Sequence, residues 1–362
     1  GLGITVGLVS GTCFAALLAP TLAAESPYPP SEIITNVTWS WSTHDRRAPG
    51  SDNWATTWAD DGHQYASWGD GGGFGGGNND GRVGLGVARV EGAWDSYQGY
   101  NVWGGKSPEN PAQFNGKSYG IISVDGVLYM WVGPGSNATS YDEARMCQSV
   151  NRGAVWQKAS WAFVKADGII MPTICNFGRD YAGARDGYVY HYFVQIANSS
   201  SLSVQKPGRV YLARVSKDRL MKGRTDYEWV SGFGGDHAPV WSGDILRKAP
   251  VFEDANGVGW CMSVSYNAGL RRYLLCTEHA QTSQGKLGIF DAPQPWGPWT
   301  TVGYYENWGG FGSTFYWNFS NKWLSKDGMD FTIIFTGTGA NDSWNTVRGR
   351  FLSASSSLPR AP

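Results

Sequence analysis

Asp61-Gly62-His63-Gln64-Tyr65 puts a glycine at a tight turn and an aromatic residue three positions later, at the head of an apolar run. The phrase returns as Gly126-Val127-Leu128-Tyr129, Gly187-Tyr188-Val189-Tyr190, Gly269-Leu270-Arg271-Arg272-Tyr273 and Gly328-Met329-Asp330-Phe331. Asp-Gly or Asn-Ala-Gly supplies the positive φ of a tight turn, and β-branched or aromatic residues flank it, so each copy reads as a β-hairpin. One hairpin recurring at a near-constant period is the signature of a propeller. Five copies predict an all-β chain folded as a single five-bladed β-propeller. Such a fold brings the ends of its innermost strands to one axis, where residues distant in sequence share a pocket.

The period divides the chain. Residues 1–24 read as a signal peptide, 25–39 as an N-terminal segment, 40–353 as the propeller and 354–362 as a loose tail. The blades fall near 40–100, 101–160, 161–235, 236–305 and 306–353. The gap between the third and fourth glycines is the longest, which predicts an insertion around 217–245. Ser149-Val150-Asn151-Arg152-Gly153-Ala154-Val155-Trp156 resembles a degenerate Asp-box, a turn that stabilises propeller blades.

Bulk composition excludes several classes. The chain has 362 residues, a formal net charge of −1 and only 16% charged residues, so no basic stripe points to nucleic acid. The unusual components are 50 Gly, 19 Trp and 18 Tyr. Glycine serves turns, while Trp and Tyr serve strands, interblade packing and the flat faces of sugar-binding clefts. Residues 1–24 are apolar and end in small residues, as a secretory signal does, and no later segment is long and apolar enough to cross a membrane. For the four cysteines that remain, three pairings are open; hairpin symmetry favours Cys261 with Cys276, facing each other across two strands, which leaves Cys147 and Cys175 for a second bridge. The sequons at Asn36, Asn137, Asn198 and Asn341 fit a secreted, extracellular glycoprotein, whereas Asn318-Phe319-Ser320 is expected on an inner strand.

Hairpin symmetry also supplies a register. In the first blade Asp52 falls opposite Asp70, at the end away from the turn. The same count in the other blades reaches Lys117, Asn176, Trp260 and Asn318, and on the returning strand of the fourth blade Glu278 and His279. These positions are expected to crowd one rim of an axial funnel, with Asn53 and Trp317 beside them. Convergent polar groups in a concave aromatic site mark an active site. Asp125, Asp186 and Asp327 precede turn glycines and read as turn residues, and His191, within an apolar strand, as a core histidine. The Gly69–Gly77 run lacks the Gly-Lys-Ser/Thr ending of a phosphate loop. No His or Cys spacing suits zinc, and no pattern supports a structural calcium.

Several motifs together carry a family likeness: Gly50-Ser51-Asp52-Asn53-Trp54, Trp68-Gly69-Asp70-Gly71-Gly72, Gly116-Lys117-Ser118-Tyr119-Gly120, Asn176-Phe177-Gly178-Arg179-Asp180-Tyr181, Val264-Ser265-Tyr266-Asn267 and Asn318-Phe319-Ser320-Asn321. With them the chain, from about Trp41 to Leu352, resembles a large bacterial and fungal family of secreted propeller proteins long labelled a domain of unknown function. One branch of that wider family is known as endo-D-arabinanases, which are glycoside hydrolases. The resemblance implies an Asp at the start of the first blade as base, matched by Asp52, with Asp180 and Glu278 as candidates for the other acidic roles.

The reading is a secreted glycoside hydrolase that cleaves a plant or microbial polysaccharide, with Asp52, Asp180 and Glu278 catalytic. Asn53, Trp54, Asp70, Lys117, Tyr119, Asn176, Arg179, Tyr266, His279, Trp317 and Asn318 are expected to bind substrate. Glycosidic cleavage needs two carboxyl groups, one protonated and one ionised. A polysaccharide lyase acting on a uronate-containing glycan is the alternative, with Lys117, Tyr119, Asn176, Arg179, Tyr266 and His279 as its base and its neutralising groups. A non-catalytic carbohydrate-binding propeller is the third reading. It is disfavoured because the five blades carry different rim residues.

Overall fold

The computed structural model describes residues 24–133, 142–198, 203–339 and 342–353. Most of the expected signal peptide, the tail and the sequons at Asn137 and Asn341 lie outside the described residues. Every regular element longer than a single 3-10 turn is a strand.

The first strand, β1 (Ile34–Arg47), is set aside for the last sheet. Strands β2 (Asp52–Trp58), β3 (Gln64–Gly69), β4 (Leu85–Glu91) and β5 (Gln98–Trp103) form an antiparallel sheet in sequence order. A second sheet follows with β6 (Lys117–Val124), β7 (Val127–Gly133), β8 (Glu143–Ser149) and the two-residue strands β9 (Gln157–Lys158) and β10 (Phe163–Val164). Next come β11 (Ile169–Asn176), β12 (Tyr188–Gln195), β13 (Arg209–Ser216), β14 (Glu228–Phe233), β15 (Pro239–Ser242) and β16 (Pro250–Glu253). Then follow β17 (Ser263–Asn267), β18 (Arg272–Glu278), β19 (Leu287–Ala292) and β20 (Thr300–Tyr304). These last two groups are each antiparallel and join only where β11 meets β17 in parallel, at Cys175↔Val264 and Asn176↔Ser265. The final sheet runs β21 (Phe315–Phe319), β22 (Asp330–Thr336), β23 (Trp344–Ser353), and its outermost strand is β1.

The innermost strands β2, β6, β11, β17 and β21 touch in that order, and β21 touches β2 again. Sheets arranged in this way around an axis make a β-propeller. All five turn glycines fall in the connection between the first and second strands of their group, as the sequence predicts. The long third interval carries β14, β15 and several 3-10 turns between residues 217 and 247. At the Asp-box-like turn, Gly153 N donates to Ser149 Oγ at 2.8 Å and Trp156 Nε1 to Gly153 O at 3.0 Å, closing the corner from β8 to β9.

Closure joins the two ends of the chain. β1 pairs with β23 from Ile34↔Ser353 to Arg47↔Trp344. Six residues assigned by sequence to an N-terminal segment, Ile34 to Trp39, belong to this ladder. Between the first and last sheets lies an aromatic seam. Trp54 is fully buried, 5.5 Å from Trp68 and 5.2 Å from Trp344 in an edge contact, and Trp344 Nε1 donates to Tyr97 Oη at 3.0 Å. Aromatic pairs of this kind add to the area they bury. Trp54 is therefore interblade core, as is Trp317, which is 1% exposed and 6.1 Å from Trp308. His191 is fully buried, accepts from Trp131 Nε1 at 3.0 Å, and is held neutral by burial, its pKa pulled down to about 3.

The expected disulfides are absent. Cys147, Cys175, Cys261 and Cys276 are free and buried. The hairpin of β17 and β18 is centred one residue later than symmetry of the cysteines requires, so Cys276 faces Ser263 rather than Cys261. Cys147 lies on β8 and Cys175 on β11, in different sheets. Removing a native bridge costs about 2–5 kcal/mol. A thiol reductant should therefore leave the thermal unfolding midpoint unchanged, and a fall of several degrees would show that a bridge had been present.

Candidate active site

The head of β2 is irregular. Asn53 has a left-handed φ of 56°, and the β2–β3 register shifts between Asp52↔Gly69 and Ala55↔Ser67. A bulge of this kind re-aims side chains at a strand end. Asp52, Asn53 and the Lys117 that opens β6 converge over Gly69. A Cβ built there would lie 2.7 Å from Asp52 Oδ1, 3.0 Å from Asn53 Nδ2 and 3.3 Å from Lys117 Cδ. Just beyond Gly69, Asp70 takes a φ of 54° and turns back toward the same point. Lys117 Nζ donates to Asp70 Oδ1 at 2.6 Å and to Gly84 O at 3.1 Å, while Arg82 Nη2 lies 3.3 Å from Asp70 Oδ2.

The glycine run that follows is a packing device. Gly71 has a φ of +67°, and a Cβ there would lie 2.3 Å from Gly50 O, so the loop rests directly on the segment that leads into Asp52. Asn101 Nδ2 pins the loop through Gly72 O and Phe74 O, both at 3.0 Å.

Asp342 completes the group from the far end of the chain. It lies between β22 and β23, its carbonyl accepts from Gly50 N, and its carboxyl group shares a hydrogen bond with that of Asp52. Burial, then the charge of Asp342, push the Asp52 pKa well above the usual carboxylate range, against the pull of Lys117. Burial raises Asp342 as well. Two neighbouring carboxyl groups that both favour the neutral form are suited to share one proton. Asp52 Oδ1 has no hydrogen-bond partner among the described residues, which further disfavours the anion.

Glu278 lies behind this group. It ends β18, is fully buried, and is pushed up to about 8 by burial, opposed only by the Ser283 amide that donates to Oε1 at 2.5 Å. Its Oε2 has no partner among the described residues. The Cys261 thiol stands between the two acids. Its Sγ donates to Asn53 Oδ1 at 3.5 Å, and the charges of Glu278 and Asp52 raise its pKa beyond the effect of burial.

Of the sequence-predicted residues, Asp52, Asn53, Asp70 and Lys117 come together, with Glu278 one side chain away. Others lie elsewhere. Asn176 ends β11 rather than beginning it, and its Nδ2 reaches Ile121 O at 3.4 Å, toward the opposite end of the axis. Asp180 accepts from Ser123 Oγ at 2.7 Å and from Gly126 N at 3.0 Å, at the β6–β7 turn, and Arg179 donates to Asp60 O at the β2–β3 turn. Tyr266 stacks with Phe177 and Tyr273 at that same end. His279 lies flat on Tyr304 at 3.7 Å, with Nε2 3.1 Å from Tyr305 O and its pKa pulled down to about 4 by burial. Tyr119 is 2% exposed against Trp260, and Asn318 donates to Trp54 O at 3.0 Å, linking β21 to β2. Sequence reasoning missed Asp342, Arg82 and Cys261. Asp342 and Asp70 occupy the equivalent loop, between the second and third strands of their sheets, and that equivalence was the signal available. Among the described residues no group of three or more His, Cys, Asp or Glu could hold a metal ion.

No protein-family model matches the chain, and no curated protein sequence matches it. Solved structures do. The alpha-L-arabinofuranosidase PaAbf62A from Podospora anserina, in complex with cellotriose, is similar over 88% of this chain and 99% of its own, with a TM-score of 0.51 and 10% identity. The GH32 beta-fructofuranosidase BmSUC1 from Bombyx mori is similar over 84% of this chain and 62% of its own, with a TM-score of 0.50 and 11% identity. At these identities the likeness is one of fold.

The elevated Glu278 pKa has a thermodynamic consequence. The native state holds this proton more tightly than the unfolded chain, so stability declines as pH rises from the ordinary glutamate value of 4.5 to about 8. Over the whole window this is worth up to roughly 5 kcal/mol. The slope of unfolding free energy against pH is expected to be shallower in Glu278→Gln than in the parent between those limits, with the variant the more stable above pH 8. Equal slopes would show that Glu278 is ionised in the native state.

Proposed function

We propose that this chain is a five-bladed propeller and a secreted glycoside hydrolase acting on a plant or microbial polysaccharide. The blade count follows from treating the two halves that meet at β11 and β17 as separate blades, each with its own innermost strand. The observation that carries the function is the convergence of Asp52 and Asp342, two carboxyl groups whose pKa values burial raises, beside the ion-paired Asp70. Hydrolysis of a glycoside requires a carboxylic acid to protonate the leaving oxygen and a carboxylate to stabilise or attack the anomeric centre. The proton held between Asp52 and Asp342 supplies the acid. Asp70, clamped by Lys117 and Arg82, supplies the fixed negative charge opposite the developing oxocarbenium ion. Asn53 and Cys261 hold the head of β2 in place, and Glu278 acts through them rather than on substrate.

Two enzymes of this fold, an arabinofuranosidase solved with cellotriose and a β-fructofuranosidase, act on glycosides by name. Pentose- and hexose-containing polymers are therefore the first substrates to offer. The elimination reading loses support because Lys117, Tyr119 and His279 are not gathered. Lys117 is spent on Asp70, and His279 is stacked and bonded in another part of the blade.

Arabinans, arabinogalactans, xylans and uronate-rich polymers, incubated with the protein, should release reducing ends without absorbance from an unsaturated uronate. Both signals together would establish a lyase instead. On the substrate so found, Asp52→Asn and Asp342→Asn should each lower kcat by about a hundredfold or more, the usual reach of a positioned acid or base. Unchanged turnover in either variant removes that residue from the mechanism.

A further inference from the structure

A second cleft lies on the opposite face. β4 runs away from the Asp52 end and finishes at Glu91, so the loop of Gly92, Ala93 and Trp94 projects from the far face. The connection from β21 to β22 projects there too, and the two loops frame a cleft of about 430 Å³. Lys322 and Trp323 form one wall and Trp94 the other, with Arg348 and Asp330 at the base. Its size lies within the range of small-molecule sites, about 300–1,000 Å³.

Three features define what it fits. Trp94 is half-buried, with the Arg348 guanidinium 4.4 Å from its ring centre, so an indole and a cation are presented as one unit. Trp323 Nε1 donates to Gly92 O at 3.2 Å, which ties the two loops together and preforms the cleft. The charges do not balance. Neither Lys322 nor Arg348 has an ion pair among the described residues, whereas Asp330 is taken by Arg350 at 2.7 Å. Lys322 feels Asp61, Glu91 and Arg179 at a distance, but Asp61 already accepts from Tyr65 Oη at 2.8 Å and Glu91 from Arg89 at 2.7 Å. Two cations therefore face the cleft with their donors to spare.

We propose that this cleft, between the Gly92–Trp94 loop and Lys322 and Arg348, binds the carboxylate-bearing unit of an acidic saccharide. Arg348 and Lys322 take the carboxylate, for which the guanidinium fork is well shaped. Trp94 takes the apolar C–H face of the pyranose ring, while the open mouth of the cleft leaves its hydroxyl groups hydrated. The two unpaired cations favour an anionic ligand over a neutral one. The cleft lies across the molecule from Asp52 and does not depend on the hydrolase reading. It would hold an acidic region of a polymer without cleaving it.

Isothermal titration with trigalacturonate tests the proposal, with xylotriose as the neutral counterpart and Trp fluorescence as a second readout. The full chain carrying Asp52→Asn prevents turnover during the measurement. Trigalacturonate should bind at least tenfold more tightly than xylotriose, and binding should weaken as salt is raised. Arg348→Gln and Trp94→Ala should each weaken it by tenfold or more, and Lys322→Gln, at a partly exposed position, should weaken it with the unfolding midpoint retained. Arg348→Gln should leave hydrolysis of the substrate identified for the axial site unaltered. Equal binding of the two trisaccharides, no binding of either, or full affinity in both Arg348→Gln and Lys322→Gln would overturn the proposal. Loss of trigalacturonate binding in Asp52→Asn-Asp342→Asn, with affinity kept in Arg348→Gln, would move the acidic sugar to the axial site.

Discussion

Everything at the axis depends on the closure of the last sheet by the first strand. β1 lies along β23 as its outer neighbour, and the seam of Trp54, Trp68 and Trp344 fills the gap between the sheets so joined. The same contact makes the chemistry. Trp344 starts β23, so its burial against Trp54 fixes the residue two positions earlier, Asp342, beside the one two positions before Trp54, Asp52. A carboxyl group contributed near the C-terminus is thereby held against one from the start of the first blade. Neither could be kept protonated in open water. Apolar packing of the seam offsets the cost of removing the pair from solvent, at a point where the aromatic area buried is large.

The sequence made the architecture legible because the turn chemistry repeats. Gly62, Gly126, Gly187, Gly269 and Gly328 each head the second strand of a group, and the spacing alone predicted the one long insertion. The register was legible where the hairpin is short. In β2–β3 the count placed Asp52 within one residue of its partner, and the Asp52, Asp70 and Lys117 cluster followed. It failed where the connection is long. Between Asn176 and Tyr188 runs a 3-10 turn through Arg179 and Tyr181, so Asn176 ends β11 and belongs to the turn face. The cysteine pairing failed for a smaller reason, a hairpin centre displaced by one residue. Asp342 was beyond the method altogether, since counting back from the first turn of a blade never visits the loop between its second and third strands.

The acids around the axis are graded by solvent rather than by identity. Asp70, with its side chain 22% accessible, is the one that meets two cations. Desolvation raises the pKa of both Asp52 and Asp342, which favours the neutral form in each. Glu278 is deepest, has one amide for company and stays neutral to about pH 8. Desolvation favours the neutral form of a carboxyl group and a paired cation favours the charged one. Depth along the axis is therefore enough to sort four chemically similar groups into an anion, a shared acid and a buried neutral residue. Had Lys117 reached Asp52 instead of Asp70, the shared proton would be lost and with it the acid.

A propeller whose innermost strands run the same way has two unlike faces, and the sequence uses them differently. Strand heads, with Asp52, Lys117 and the loops bearing Asp70 and Asp342, meet at one end, where carboxyl groups outnumber cations. Turns meet at the other, where Arg152 pairs with Asp60 and Asp61, Asp180 accepts from Ser123 Oγ and Arg179 donates to Asp60 O. At the edge of that second face, beside Trp94, Lys322 and Arg348 have no ion pair among the described residues. The proposed chemistry at one face and the proposed attraction of anions at the other draw on separate residues. Strand direction alone separates the two proposed tasks, and neither set of residues belongs to the Trp54, Trp68 and Trp344 seam.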